Sequence, residues 1–128
     1  MEYSDMHYKM NSLDELMEYM WLKPKFTGLK VDIFADDGGS YLRHNHELLL
    51  FVRNGYDKTV EEFIPISISD NPKILDDTID LMISYDDICD IQDFIVSNFK
   101  DLKALADRKI SQIEFVERII IKQNRSPR

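Results

Sequence analysis

The stretch Leu48-Leu49-Leu50-Phe51-Val52 is apolar at every position, and it decides which fold the neighbouring segments can build. A strand with one face in water alternates apolar and polar residues, whereas a strand that is covered on both faces is apolar throughout. We therefore predict that residues 48–52 form the central strand of a small sheet.

Two alternating segments, residues 31–35 and 64–68, flank this central strand and predict its neighbours. Both show the period of two that is typical of strands, and their apolar members are Val31, Ile33, Ala35, Ile64, Ile66 and Ile68. Pro65 has no N–H to donate, which places the second segment at a sheet edge. Together the three segments predict an antiparallel meander. Residues 78–83 also alternate, so a fourth strand is left open there.

The second half of the chain carries helical patterns. Ser84 and Asp87 form an N-terminal capping box, and apolar residues follow at helical spacing: Ile88, Ile91, Ile95, Phe99 and Leu102. A similar box of Ser111 with Glu114 begins a last helix. In the first half, Ser12 begins a helix that Pro24 should end near Trp21-Leu22.

These elements predict an α+β fold, in which helices pack on one face of a small antiparallel meander of three or four strands and the C-terminal half is helical. We expect one domain over residues 1–123, followed by a frayed C-terminal tail at residues 124–128.

Composition excludes several classes of function. The chain has 128 residues, of which 24 are acidic and 16 basic, and its net charge is −8. Nucleic acids and anionic membranes attract proteins mainly through Lys and Arg, so neither is an expected partner. The acidic first twenty residues do not resemble a signal peptide, and a single cysteine, Cys89, suits a reducing compartment. We expect a cytoplasmic protein.

The segment between the first two predicted strands holds the residues best suited to chemistry, namely Asp36, Asp37, His44 and His46. On a strand, residues two apart share a face, so His44 and His46 should lie side by side, about 6.5–7 Å apart. With Asp36 or Asp37 across the hairpin, two imidazoles and a carboxylate would suit zinc or non-haem iron. Alternatively, both histidines are surface residues whose ring nitrogens bond the loop backbone.

Part of this segment resembles the first motif of the cupin family, with Gly38 and five further residues before His44-Asn45-His46. The resemblance covers nine residues. The glutamate that completes the cupin motif is missing, because Leu50 and Phe51 occupy its place, and a helical second half does not fit a cupin barrel. The family is therefore not assigned.

Two predicted helices offer surfaces for a protein partner. Residues 70–93 contain eight aspartates against one lysine, and Asp86, Asp90 and Asp93 share the polar side of the helix after Ser84. This side is a solvated surface, a docking surface for a basic partner, or a mimic of DNA phosphates. The last helix carries Phe115, Ile119, Ile120 and Ile121. These residues cover more of its circumference than packing against a single layer would bury. The remaining apolar side therefore contacts either another layer of the same domain or another chain.

We therefore expect a small acidic protein-binding or regulatory protein that needs no cofactor, and inhibitors of the kind that mobile elements encode are one class of such proteins. Its partner would be a protein, basic in character, or a second copy of the chain. The contact residues would be Asp86, Asp90, Asp93, Ile119 and Ile120. The alternative is a small metal-dependent enzyme that holds zinc or iron at Asp36, Asp37, His44 and His46.

Overall fold

The computed structural model describes residues 13–125, and in this range the chain forms one sheet of four antiparallel strands. The strands are β1 (Tyr19–Leu22), β2 (Ile33–Asp36), β3 (Leu49–Arg53) and β4 (Phe63–Ser67). Each strand pairs with the one that follows it in the chain. The predicted α+β fold with a small meander is confirmed.

β3 is the predicted central strand, since it pairs with β2 on one side and with β4 on the other. Phe51 in β3 lies opposite Phe34 in β2 and opposite Pro65 in β4. Pro65 stands on an edge strand, as its missing N–H requires. The outer side of β4 is partly covered, because the N–H of Leu75 donates to the Pro65 carbonyl at 2.8 Å.

The alternation along the strands gives the sheet two different faces. One face is aliphatic and packs against the helices, and its buried strand residues are Leu22, Ile33, Ala35, Leu50, Val52, Ile64 and Ile66. The other face holds a smaller buried cluster of Tyr19, Phe34, Leu49, Phe51 and Phe63. Arg53 lies on this second face and forms an ion pair with Asp32 at 2.9 Å.

Six helices accompany the sheet within residues 13–125. They are α1 (Leu13–Leu16), α2 (Pro24–Thr27), α3 (Ser40–Arg43), α4 (Tyr85–Ser97), α5 (Phe99–Ala106) and α6 (Gln112–Arg125). The three longest, α4, α5 and α6, bury their apolar sides on the aliphatic face of the sheet. None of the described helices is long and apolar enough to cross a lipid bilayer.

The predicted helix after Ser84 is confirmed in its start and in its buried side. The Ser84 hydroxyl accepts the N–H of Asp87 at 3.1 Å, and the residues that face the core include Ile91 and Ile95. The apolar stripe that continues to Leu102 belongs to two helices, because the backbone leaves helical geometry at Asn98.

The helix predicted from Ser12 to Trp21-Leu22 is wrong over most of its length. α1 ends at Leu16, and β1 follows at Tyr19–Leu22, while Ser12 lies outside the described residues. Met17, an apolar residue within the predicted helix, is 79% exposed. Pairing with β2 satisfies the backbone of an aromatic-rich segment, so this tertiary contact overrides the local helical pattern.

Residues 78–83 do not form the fourth strand, because β1 takes that role. Side-chain oxygens accept the backbone N–H groups that would otherwise pair with a neighbouring strand. The N–H of Thr78 donates to the Asp76 carboxylate at 3.0 Å, and the N–H of Met82 donates to the Asn54 side chain at 2.7 Å. At the other end of the chain, α6 continues to Arg125, so the expected tail begins inside a helix.

Candidate functional site

Asp36, the first of the predicted metal ligands, binds the backbone of its own loop. Its side chain is fully buried at the end of β2. One carboxylate oxygen accepts the N–H groups of Gly38 at 3.0 Å and Ser40 at 2.9 Å, and the other accepts the N–H of Tyr41 at 3.0 Å. Ser40 and Tyr41 are the first residues of α3, so Asp36 fixes where this helix begins.

The two histidines pair with glutamates that the sequence patterns did not indicate. His44 Nε2 lies 3.2 Å from Glu18 Oε1, and His46 Nε2 lies 2.5 Å from Glu15 Oε2. The Nδ1 atom of His46 lies 2.8 Å from the carbonyl oxygen of Glu47. The two imidazole rings stack with centroids 6.3 Å apart. They follow α3 in a turn, so the expectation that they lie on a strand is wrong.

The four predicted metal ligands are not brought together. Asp37 accepts a hydrogen bond from the side-chain amide of Gln112 at the start of α6, and Asp36 is occupied by backbone donors. Within residues 13–125, no group of three His, Cys, Asp or Glu side chains is arranged to hold a metal ion. The arrangement that was expected to bind zinc or iron is therefore not assembled in the described part of the chain.

The position of β1 explains why glutamates face the histidines. Tyr19 pairs with Asp36 at the end of the β1–β2 ladder. In an antiparallel pair, residues before the first strand lie beside residues after the second. Glu15 and Glu18 therefore meet the loop after β2. This contact follows from β1, and the helix predicted over the same residues would have separated the glutamates from the loop.

The two His–Glu pairs differ in their exposure to water. The side chains of His46 and Glu15 are 3% and 16% exposed, whereas His44 and Glu18 lie nearer the surface. Arg43 forms an ion pair with Glu18 at 2.6 Å, and this hydrogen bond lowers the pKa of the Glu18 carboxyl. These contacts attach the segment before β1 to the loop after β2.

The same cluster does not contain an activated nucleophile. Ser40 Oγ lies 3.5 Å from Glu15 Oε2, and that carboxylate also receives His46. In the Ser–His–Asp arrangement the serine hydroxyl contacts an imidazole nitrogen directly, and that nitrogen accepts its proton. Here the Glu15 carboxylate lies between the Ser40 hydroxyl and the His46 imidazole. These contacts join the loop to the segment before β1 and do not activate the serine.

The acidic segment divides into structural and exposed aspartates. Asp76 and Asp87 are buried and bond nearby groups, and the Tyr56 hydroxyl that donates to Asp87 lowers the pKa of this carboxyl. The three predicted contact residues, Asp86, Asp90 and Asp93, are all exposed on α4.

Two of these exposed aspartates border a groove between α4 and α6. The groove has a volume of about 240 Å³ and is closed at one side by the connection from α2 to β2. Asp90 and Asp93 line it together with the apolar side chains of Leu29, Phe94 and Ile119. We call this cavity the α4–α6 groove. The groove is lined by three of the five predicted contact residues, namely Asp90, Asp93 and Ile119. Asp86 and Ile120 do not line it.

Hydrogen bonds between elements hold the walls of the α4–α6 groove. The Lys122 ammonium on α6 donates to the Ser97 carbonyl at 2.6 Å and to the Asn98 side chain at 3.1 Å. The Gln123 side-chain amide donates to the Phe26 carbonyl at 2.6 Å. The groove is therefore part of the folded structure and does not depend on loose side chains for its shape.

α6 separates its apolar residues into a buried side and an exposed side. Phe115 and Ile119 are buried in the core, so Ile119 offers a partner no free surface beyond the floor of the groove. Ile113 and Ile120 are 72% and 36% exposed and lie two turns apart on the outer side. Of the two predicted contact residues on this helix, Ile120 lies on the exposed outer side, and Ile119 lies at the floor of the α4–α6 groove.

Comparisons of the chain with protein-family models, with curated proteins and with solved structures find no match.

Proposed function

We propose that this protein is a binding module that docks a basic protein partner on the surface formed by α4 and α6. Such a module acts by occupying its partner, as a regulator or an inhibitor does. The net charge of −8 favours encounter with a basic protein, because long-range attraction raises the association rate.

The observation that carries this proposal is the position of Asp90 and Asp93 at the rim of the α4–α6 groove. A polar helix face that serves only for solvation needs no cavity beside it. Here two carboxylates border a recess with an apolar floor formed by Leu29, Phe94 and Ile119. An interface needs this combination, since apolar burial supplies affinity and charge supplies orientation.

The outer side of α6 is a second contact surface, which we propose pairs two copies of the chain. The exposed Ile113 and Ile120 support this proposal, because they lie on the same side of a helix whose opposite side already fills the core. A two-fold axis beside α6 would bring the outer sides of the helix in the two copies together and bury these isoleucines.

The metal-dependent alternative gains no support from the described residues, because Asp36 and Asp37 bind backbone and Gln112 rather than joining the histidines.

A defined polycation tests the main proposal. We expect a deca-lysine peptide to shift amide NMR signals of α4 and α6 at low ionic strength, and we expect added salt to weaken the effect. The variant Asp90→Asn with Asp93→Asn should reduce the affinity several-fold. The matched control, Asp77→Asn with Asp80→Asn, makes the same charge change at exposed aspartates away from the groove. Equal losses in both variants would show nonspecific attraction and refute the proposed surface.

A further inference from the structure

The α4–α6 groove has the size of a site for one side chain. Pockets that hold whole small molecules usually measure about 300–1,000 Å³, whereas this groove measures about 240 Å³. Its floor is apolar, with Phe94 and Ile119 almost fully buried beneath it. A long side chain with an aliphatic stem and a polar head suits such a recess.

Two carboxylates and one hydroxyl follow one another along the α4 wall of the groove. Asp90, Asp93 and Ser97 follow one another at helical spacing along α4, and all three line the cavity. Ser97 is the last residue of α4, and the last turn of this helix contains no basic residue.

The ammonium group of Lys122 already lies in this groove, at the end of α4. Lys122 lines the groove, and its Nζ atom donates to the Ser97 carbonyl at 2.6 Å. This contact shows, independently of the aspartates, that the end of α4 accepts a cationic head group. It also fills the position beside Ser97, which leaves the stretch bordered by Asp90 and Asp93 for a second cation.

We propose that this stretch of the groove binds the side chain of one arginine from the partner, an inference that rests on the proposed function. Residues three apart on a helix place their Cβ atoms about 5–6 Å from each other. A planar guanidinium with five donors spans two such carboxylates, whereas a lysine ammonium is a compact point charge. The aliphatic stem of the arginine would lie on Leu29 and Ile119.

Small-molecule probes test this inference on the intact chain. N-acetyl-arginine-methylamide should shift the methyl NMR signals of Leu29 and Ile119 in a saturable manner, with a dissociation constant of roughly 1–10 mM. The citrulline analogue has nearly the same shape without the charge and should bind at least tenfold more weakly. The lysine analogue should bind several-fold more weakly. Equal binding of the arginine and citrulline probes, or of the arginine and lysine probes, would overturn the inference.

Variants complete the test. Asp90→Asn with Asp93→Asn should weaken the arginine probe about tenfold, and Asp77→Asn with Asp80→Asn should leave its affinity unchanged. If deca-lysine perturbs α4 and α6 while the arginine probe gives no saturable shift, this inference is wrong and the proposed function stands. If neither ligand perturbs this surface, both are wrong.

Discussion

Asp36 is the residue at which a structural role and a metal-binding role predict opposite results. Its carboxylate accepts three backbone N–H groups, of which that of Ser40 is buried and those of Gly38 and Tyr41 are partly buried. An unsatisfied buried donor costs about 1–3 kcal/mol. Taking about 2 kcal/mol for Ser40 and about 1 kcal/mol for each of the others, we expect Asp36→Ala to lower the free energy of unfolding by about 4 kcal/mol.

Two further variants sharpen this measurement. Asp36→Asn keeps one oxygen for two of the N–H groups but turns an NH2 group toward the third, so we expect a loss of about 1–2 kcal/mol. Asp37→Ala is the control, because the Asp37 side chain accepts a hydrogen bond from the Gln112 side chain at an exposed site, and we expect a loss of less than about 1 kcal/mol. Urea denaturation followed by circular dichroism measures all three. Similar stabilities for Asp36→Ala and Asp37→Ala, with loss of a bound metal from the former, would refute the structural role of Asp36.

Three other predictions concern the core, the outer side of α6 and the ion pair at Glu18. Ile95→Asp should destabilise the fold by several kcal/mol because Ile95 is fully buried, whereas Asp90→Lys at an exposed site should change stability by less than about 1 kcal/mol; reversed denaturant midpoints would contradict the placement of α4. Sedimentation at tens of micromolar should detect a dimer that Ile120→Glu dissociates without unfolding; a monomeric wild-type chain would rule out that interface. Because the Arg43 hydrogen bond lowers the folded pKa of Glu18, the stability it provides is present above the unfolded pKa of Glu18 and is lost as the pH falls through the folded value. Arg43→Gln should therefore destabilise the fold at neutral pH, and the difference from wild type should shrink in acid to the part that comes from the Arg43 hydrogen bond to the Gly38 carbonyl; a constant difference would argue against this linkage.

The features that were predictable from the sequence are those in which one segment carries its own pattern. The apolar run at residues 48–52 indicated β3, and Pro65 indicated an edge strand. Ser84 with the isoleucines that follow it indicated α4, including the exposed side where Asp90 lies. In each case the pattern that favours the element also specifies which side faces the core, so local and tertiary requirements agree.

The features that were not predictable depend on contacts between distant segments. Residues 19–22 carry apolar side chains compatible with a helix or a strand, and pairing with β2 decides between them. Once β1 was missed, the contacts of Glu15 and Glu18 with the histidines could not be foreseen. The spacing of His44 and His46 suggested a strand, but Asp36 binds the N–H groups that begin α3 and so turns the loop into a helix.

The order of the strands has a consequence for how the chain folds. Each sheet pairing joins consecutive strands, so the meander forms through short chain closures. α6 depends on distant contacts, since Gln123 binds Phe26, 97 residues earlier, and Gln112 binds Asp37, 75 residues earlier. Longer closures cost more entropy and slow folding. We expect α6 to dock last, with low φ-values at Phe115 and higher ones at Phe51. Because α6 forms one wall of the α4–α6 groove, the groove would be completed only when α6 docks.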